Sequence, residues 1–466
     1  MNGIVAYGAY LPYSRLDRQT IGDALGAPAG SGMRTVASYD EDTTSMGVEA
    51  ARLALRAAGG VTSEAVCFAT AAPAYLDKTN ATAIHAALDL GAGVAAFDMT
   101  GSVRSGAGAL WAGMRGASAT LVVLSDIRTG LAGGADEREG GDGAVAFLLA
   151  PEESGAEPLA FASTTAEFLD RWRVPGDSAS RQWEERFGEQ AYVAVGESAV
   201  KEALKQAGVT ADAIDRLIVA GPHGRANRRV AAAVGTRKGT VADDFSATVG
   251  NTGTAHAGLM LADALDRAEP DQIIAVVSLA DGADVTIWRA TKSVAARRPA
   301  VSVASQASAG RKVSYATYLT WRGFLTREPP RRPDPERPAA PPSFRHEAWK
   351  FAFTGSRCQA CGTRHVPPQR ACLKCHAVDR MSPERLAAVP ATIATFTVDR
   401  LAYSLSPPVV AAVIDFDGGG RFQCELTDVD PAAVKIGDRV EMTFRRLFTA
   451  SGVHNYFWKA RPLRTR

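Results

Sequence analysis

Over roughly the first 300 residues, short apolar runs alternate with longer stretches whose apolar positions recur every three or four residues. The runs 4–7, 65–69, 95–99, 121–124, 144–149, 217–220 and 273–278 are short and often β-branched, and they predict buried strands. The stretches 47–58, 106–116, 196–207 and 255–267 carry an apolar stripe and predict helices. Strand–helix alternation on this scale predicts an α/β architecture. The pattern occurs once before and once after about residue 155, which points to an internal repeat.

Beyond residue 300 the pattern changes twice. Between Arg289 and Arg327 there are eight basic residues and no acidic one, a solvated connection or a cationic surface for an anion such as the phosphates of coenzyme A. Seven of the 24 prolines then fall between Pro329 and Pro342, a stiff linker that cannot build a core. After it, residues 391–398, 409–416, 421–426, 439–444 and 456–460 read as strands separated by turns, the pattern of a small β-barrel. A short helix is predicted over 346–353. The resulting division is 1–155 and 156–325 for the two α/β halves, 326–343 for the linker, 344–382 for a cysteine-bearing segment and 383–466 for the barrel.

Composition narrows the classes. With 466 residues the chain is too long for one ordinary domain, and its 46% apolar content supports sizeable cores. A formal net charge of only +2 argues against a general nucleic-acid binder. No apolar run approaches the length of a bilayer span, and the N-terminus reads as a first strand, so the expected address is the cytoplasm with no membrane partner.

Four of the six cysteines are clustered. Cys358-Gln-Ala-Cys361 and Cys372-Leu-Lys-Cys375 are two C-x2-C pairs separated by ten residues. Each pair fits a tight knuckle, helped by Gly362, and two knuckles can converge four thiolates on one tetrahedral zinc. Four thiolates leave no open position, so the expected zinc is structural and stabilises a segment with little core of its own. His365 and His376 lie nearby but the set is complete without them. Cys424 is expected in the barrel core.

Several segments together resemble the 3-hydroxy-3-methylglutaryl-CoA synthase family of the thiolase superfamily: Gly3-Ile-Val-Ala-Tyr-Gly-Ala-Tyr-Leu-Pro12, Ser38-Tyr-Asp-Glu-Asp-Thr-Thr-Ser-Met-Gly-Val-Glu-Ala-Ala51, Pro73-Ala-Tyr-Leu-Asp-Lys-Thr-Asn-Ala81 and Gly250-Asn-Thr-Gly253. The C-terminal unit resembles the family called domain of unknown function 35, through the four cysteines, Pro367-Pro368, Ser406-Pro-Pro-Val409 and Val434-Lys-Ile-Gly-Asp-Arg-Val440. The resemblance implies a duplicated αβαβα sandwich, usually dimeric, followed by a rubredoxin-like zinc ribbon and an OB fold. It also implies acyl-CoA chemistry, with the C-terminal unit bridging thiolase-type subunits and helping to hold coenzyme A.

The family's catalytic Cys, Glu and His do not carry over. The cysteine position, five residues after Asp98, holds Val103; the glutamate position holds Ala71; the histidine position holds Ala220, with His223 three residues on. Ser102 and Ser105 flank Val103, Asn251 persists where the family supports its oxyanion, and His256 follows it. Three departures toward apolar side chains predict that Claisen chemistry is lost, because catalytic groups that act as a unit lose most of the rate with one member.

Three readings follow. The first is a non-catalytic subunit that completes the coenzyme A site of a separate thiolase subunit, in a self-dimer or hetero-oligomer. The second is an active acyl-CoA enzyme using Ser102, Ser105, His223 or His256. The third is single-strand binding by the barrel, on a platform of Phe448, Tyr456, Phe457 and Trp458 beside Arg445, Arg446 and Lys459. The same platform, and Arg445–Arg446 in particular, would suit the adenine and phosphates of coenzyme A.

Overall fold

In the computed structural model, which describes residues 1–331 and 333–464, the alternation becomes two copies of one unit. The first copy contains β1 (Gly3–Tyr10), β2 (Ala65–Thr70), β3 (Ala95–Thr100), β4 (Thr120–Ile127) and β5 (Asp142–Ala150), ordered β1-β5-β4-β2-β3 in space. The second contains β6 (Ala156–Thr165), β7 (Arg216–Ala220), β8 (Ile273–Leu279) and β9 (Gly282–Ala290), ordered β6-β9-β8-β7. The strand senses repeat: two antiparallel pairings, then a parallel one. Where the first copy adds β3, the second has only a parallel bridge from Leu217 to Val241. The copies meet at β1 and β6 through the pair Ile4 and Ala156, which makes one nine-stranded sheet.

Three helical layers cover the two halves of the sheet. Helices α1 (Thr43–Ala57) and α2 (Ala81–Leu88) cover the outer face of the first copy. Between the copies lie α3 (Ser105–Arg115) and α6 (His256–Arg267), and α4 (Glu185–Ala207) with α5 (Gly224–Val234) covers the outer face of the second. Strand β5 shows why its sequence lacks alternation. Ala144, Ala146 and Leu148 join the outer core, while Val145, Phe147 and Leu149 join the central one. A strand that meets helices on both faces has no solvent face to mark with polar residues.

The C-terminal unit is a zinc-ribbon fold on an OB-type barrel. Strands β10 (Thr354–Cys358), β11 (Arg364–His365) and β12 (Met381–Arg385) form the ribbon. Strands β13 (Ala391–Asp399), β14 (Val409–Phe416), β15 (Arg421–Leu426), β16 (Arg439–Ala450) and β17 (Val453–Pro462) close a barrel in the order β13-β14-β15-β17-β16. Its core is continuous with the outer core of the first copy: Ile393, Ile414, Phe444 and Trp458 form one cluster with Val48, Ala51 and Ala54 of α1.

Candidate acyl-transfer site and domain seam

The site lies where the two copies' central helices begin. Strand β3 ends at Thr100, and Gly101 turns the chain at φ 117°, a conformation L side chains rarely adopt. Helix α3 then starts at Ser105, which leaves Val103 at its positive end, where a thiolate would be stabilised. A valine side chain has neither a lone pair nor a transferable proton. The loop before α6 presses on this end so closely that a Cβ on Gly106 would lie 2.6 Å from the Thr254 carbonyl oxygen. Val103, Ala220, Gly221, Thr254 and His256 line a cavity of about 30 Å³, room for one or two waters. Arg104 borders it and crosses to the second copy. Its guanidinium donates to Asp284 (2.9 Å), Ser163 Oγ (3.0 Å), Thr165 Oγ1 (2.9 Å) and the Asp281 carbonyl (2.6 Å). Asp284 thereby offsets a positive charge at the wrong end of a helix dipole.

The remaining sequence-selected groups fall into supporting positions. Ala71 is buried just past β2, and its carbonyl accepts from Arg173. His223 is the N-cap of α5: Nδ1 accepts from the Ala226 N–H at 3.2 Å, and Nε2 donates to the Glu185 carbonyl at 2.9 Å. Asn251 donates to the Gly221 carbonyl (2.8 Å) and accepts from the Gly253 N–H (2.9 Å), so it braces the loop beside Ala220. His256 is buried and its Nδ1 accepts from the Thr252 N–H; burial, only partly opposed by Asp244, pulls it down to about 4. Among the described residues, no imidazole or carboxylate hydrogen-bonds the hydroxyl of Ser102 or Ser105. Burial pushes Cys67 up to about 11 and Cys424 up to about 12, so neither thiol is ionised near neutrality. Sequence reading missed Asp126, a buried carboxylate at the end of β4 that accepts from the Thr254 N–H and Oγ1, both at 3.1 Å. Its signal was an acid closing an apolar strand run.

The four ribbon cysteines converge. Their sulfurs lie within 4.8 Å of one another, with Cys358–Cys375 at 3.6 Å and Cys361–Cys372 at 3.5 Å. A tetrahedron of Zn–S bonds of about 2.3 Å sets sulfurs about 3.8 Å apart, so the donor set fits zinc. Both knuckles turn through positive φ, at Gly362 (73°) and at His376 (60°). The Lys374 and Cys375 N–H groups donate to Cys372 Sγ, which orients the sulfur and favours its thiolate form.

Residues 351–379 match the family described as "ChsH2, rubredoxin-like zinc ribbon domain", and residues 384–445 the one described as "ChsH2, C-terminal OB-fold domain". The hydroxymethylglutaryl-CoA synthase of Methanothermobacter thermautotrophicus is 30% identical over 348 residues, which cover 70% of this chain and 99% of that protein. The chain belongs to the hydroxymethylglutaryl-CoA synthase family. That is a thiolase-fold family of acyl-CoA condensing type. The structure of MvaS in complex with 3-hydroxy-3-methylglutaryl coenzyme A superposes with a TM-score of 0.57 at 19% identity, over 72% of this chain and 94% of that one. The 3-oxoacyl-[acyl-carrier-protein] synthase III of Aquifex aeolicus gives 0.55 at 20% identity, over 62% and 100%.

Relative to the synthases it matches over nearly their whole length, this family member carries an added ribbon and barrel, and the Ser38–Ala51 segment is where the barrel docks. Lys459 Nζ lies 3.0 Å from Asp40 and 2.8 Å from Glu425. Arg445 pairs with Glu41 and, at 2.7 Å, with Asp428. Arg461 bridges Glu49 and Glu441, both at 2.9 Å. Asp42 caps α1 through the Ser45 N–H and accepts from Tyr456 Oη at 2.6 Å. Against the pull of burial, Asp40, Tyr39 and Glu425 push Lys459 further up. These pairs correct two sequence expectations. Arg445 and Lys459 are not phosphate neighbours on an open groove, and Tyr456 and Trp458 are not a stacking platform: Trp458 is 2% exposed, with the Arg52 guanidinium over its ring. The basic tract is likewise no single surface. Arg289 pairs with Glu157, Arg322 is buried on Asp142, and Arg311, Lys312 and Arg327 line a seam cavity of about 530 Å³ with Tyr39 and Trp321. Among the described residues no helix is long and apolar enough to cross a membrane.

Proposed function

We propose that this chain is a non-catalytic subunit of a thiolase-type acyl-CoA C-acyltransferase complex. It holds the assembly together and completes the coenzyme A site of a separate thiolase subunit, which supplies the nucleophile for a thiolytic, condensing or retro-Claisen reaction on a β-ketoacyl-CoA. The observation that carries this reading is Val103 at the helix end, above a cavity of about 30 Å³. Acyl transfer through the enzyme needs a lone pair to attack and space for the acyl group, and this helix end offers neither. The histidines that would have to substitute are a helix cap and a buried neutral ring. The coenzyme A thioester bound by MvaS supports an acyl-CoA as the ligand of the assembly. Zinc is structural in this reading, held by Cys358, Cys361, Cys372 and Cys375.

Two surfaces are available for assembly. The edge strand β3 exposes its main chain and Phe97, which suits strand pairing with a second copy. Leu373 and Val378 of the ribbon and Leu401 of the barrel are exposed, and we assign them to contact with the thiolase subunit.

The test is turnover of acetyl-CoA and acetoacetyl-CoA by the purified chain, alone and with a thiolase subunit encoded beside it. The expected result is no turnover and no radiolabelled acyl adduct for the chain alone, with co-purification and turnover for the pair. Turnover by the isolated chain that disappears on Ser102→Ala or His256→Ala would establish the active-enzyme reading instead.

A further inference from the structure

The seam between the thiolase-like body and the barrel holds a second cavity, of about 750 Å³ and half open to solvent, with a lining separate from that of the Trp321 cavity. Its charged lining is lopsided: Arg56, Arg298, Arg461 and Arg464 face it, against the single carboxylate Glu441. The four guanidiniums arrive from four stretches of chain: the end of α1, the segment after β9, strand β17, and the residues just beyond it.

Internal partners absorb only part of this charge. Arg461 holds Glu49 and Glu441, both at 2.9 Å, but Glu49 is shared with Arg52, and Arg56 reaches Glu441 only at 3.7 Å, which is beyond a hydrogen bond. Arg464 donates to the Leu11 carbonyl at 3.2 Å and reaches Asp428 at 3.1 Å, which Arg445 also uses. Arg298 donates to the Ala268 carbonyl, and its one carboxylate neighbour, Glu269, is 3.8 Å away. Tyr10 is wedged between Arg461 and Arg464, whose guanidinium carbons lie 5.4 and 5.0 Å from its ring centre, which fixes the forks in place. Burial, and then the neighbouring Arg52, hold Arg56 below its ordinary value, as expected where cations crowd. Leu53 and Val301 supply an apolar wall.

Fixed guanidinium forks in a half-buried cavity with surplus positive charge match the geometry of phosphate oxygens, which accept two parallel N–H bonds from each fork. We infer that this cavity binds a multiply charged anion of the phosphate class, either a free phosphorylated metabolite or the phosphates of a nucleotide. The inference does not depend on whether the chain is catalytic.

The experiment is isothermal titration of the zinc-loaded full chain with inorganic pyrophosphate and, separately, with adenosine 3′,5′-bisphosphate. Saturable binding to one site is expected, weakened at least tenfold in the double variant Arg56→Gln/Arg298→Gln and unchanged in Arg311→Gln/Arg327→Gln at the other seam cavity. Tighter binding of the bisphosphate assigns a nucleotide source; equal or tighter binding of pyrophosphate assigns a free phosphate. If the double variant does not fold, the single variant Arg56→Gln, whose side chain is 43% exposed, carries the comparison. Absence of saturable binding by either ligand, or binding indifferent to the Arg56 and Arg298 substitutions, overturns the proposal.

Discussion

Lys459 has almost no solvent contact and faces Asp40, which has none. Removing the cation strands a buried carboxylate, so Lys459→Met should destabilise the protein by about 3–5 kcal/mol in urea unfolding. Adding Asp40→Leu should recover most of that loss, because two apolar groups need no partner. His256 and Glu49 make stability depend on pH. The unfolded chain binds a proton at His256 below about pH 6.5, whereas the folded chain refuses it until about 4, so stability falls as pH drops through that window. Burial alone would raise Glu49, but Arg52 and Arg461 hold it down to about 2, which extends the loss from about 4.5 downward. Each step is on the order of 3 kcal/mol. His256→Gln should flatten the upper limb of the stability–pH curve and leave the lower limb intact. The three apolar residues Val103, Ala71 and Ala220 were legible as replacements only through the family resemblance. The seam pairs were not, because Lys459 donates to Tyr39 from 420 positions away, and a basic aromatic strand reads the same whether it faces water or another domain's carboxylates.

At the scale of elements, legibility followed burial symmetry. Strand β5, covered on both faces, was plain as a continuous apolar run. Strands β6 and β9 were missed. They carry Pro158, Asp284 and Thr286, and Pro158 stands opposite Trp288 at a register shift, where a missing N–H is tolerated. Helix α4 starts at Glu185, well before the predicted 196, because Gly188 masks the first turns; a Cβ there would strike Asp170. The ribbon was the most legible element, since four ligands at fixed spacing are a local signal. Its strands are short, so its order is expected to rest on the ion. Elemental analysis should find one zinc per chain, and Cys361→Ser should abolish it. Loss of the metal should open residues 358–376 to protease while the barrel keeps its far-ultraviolet spectrum. An unchanged cleavage pattern after chelation would show that the ribbon holds its shape without metal.

At the scale of the molecule, the barrel is part of the first copy's outer core and not a tethered passenger. Residues 333–339 run without regular structure and lie almost wholly exposed, so the buried contact between barrel and body is made at the seam. Cutting the linker should therefore leave two fragments that co-elute in gel filtration, even in about 1 M salt, where exposed pairs are screened within about 3 Å but buried ones are not. Fragments that part under those conditions would mean that the seam is weaker than its buried pairs imply.

The unequal ends of the nine-stranded sheet set a limit on growth. One rim is a full strand with its hydrogen-bonding groups free; the opposite rim has dwindled to one rung at Val241, flanked by irregular chain. A building block with a single adhesive border joins once and is then used up. Strand pairing at the border of this sheet is therefore expected to stop at a closed pair and not run on into a fibre, which gel filtration of the purified chain checks.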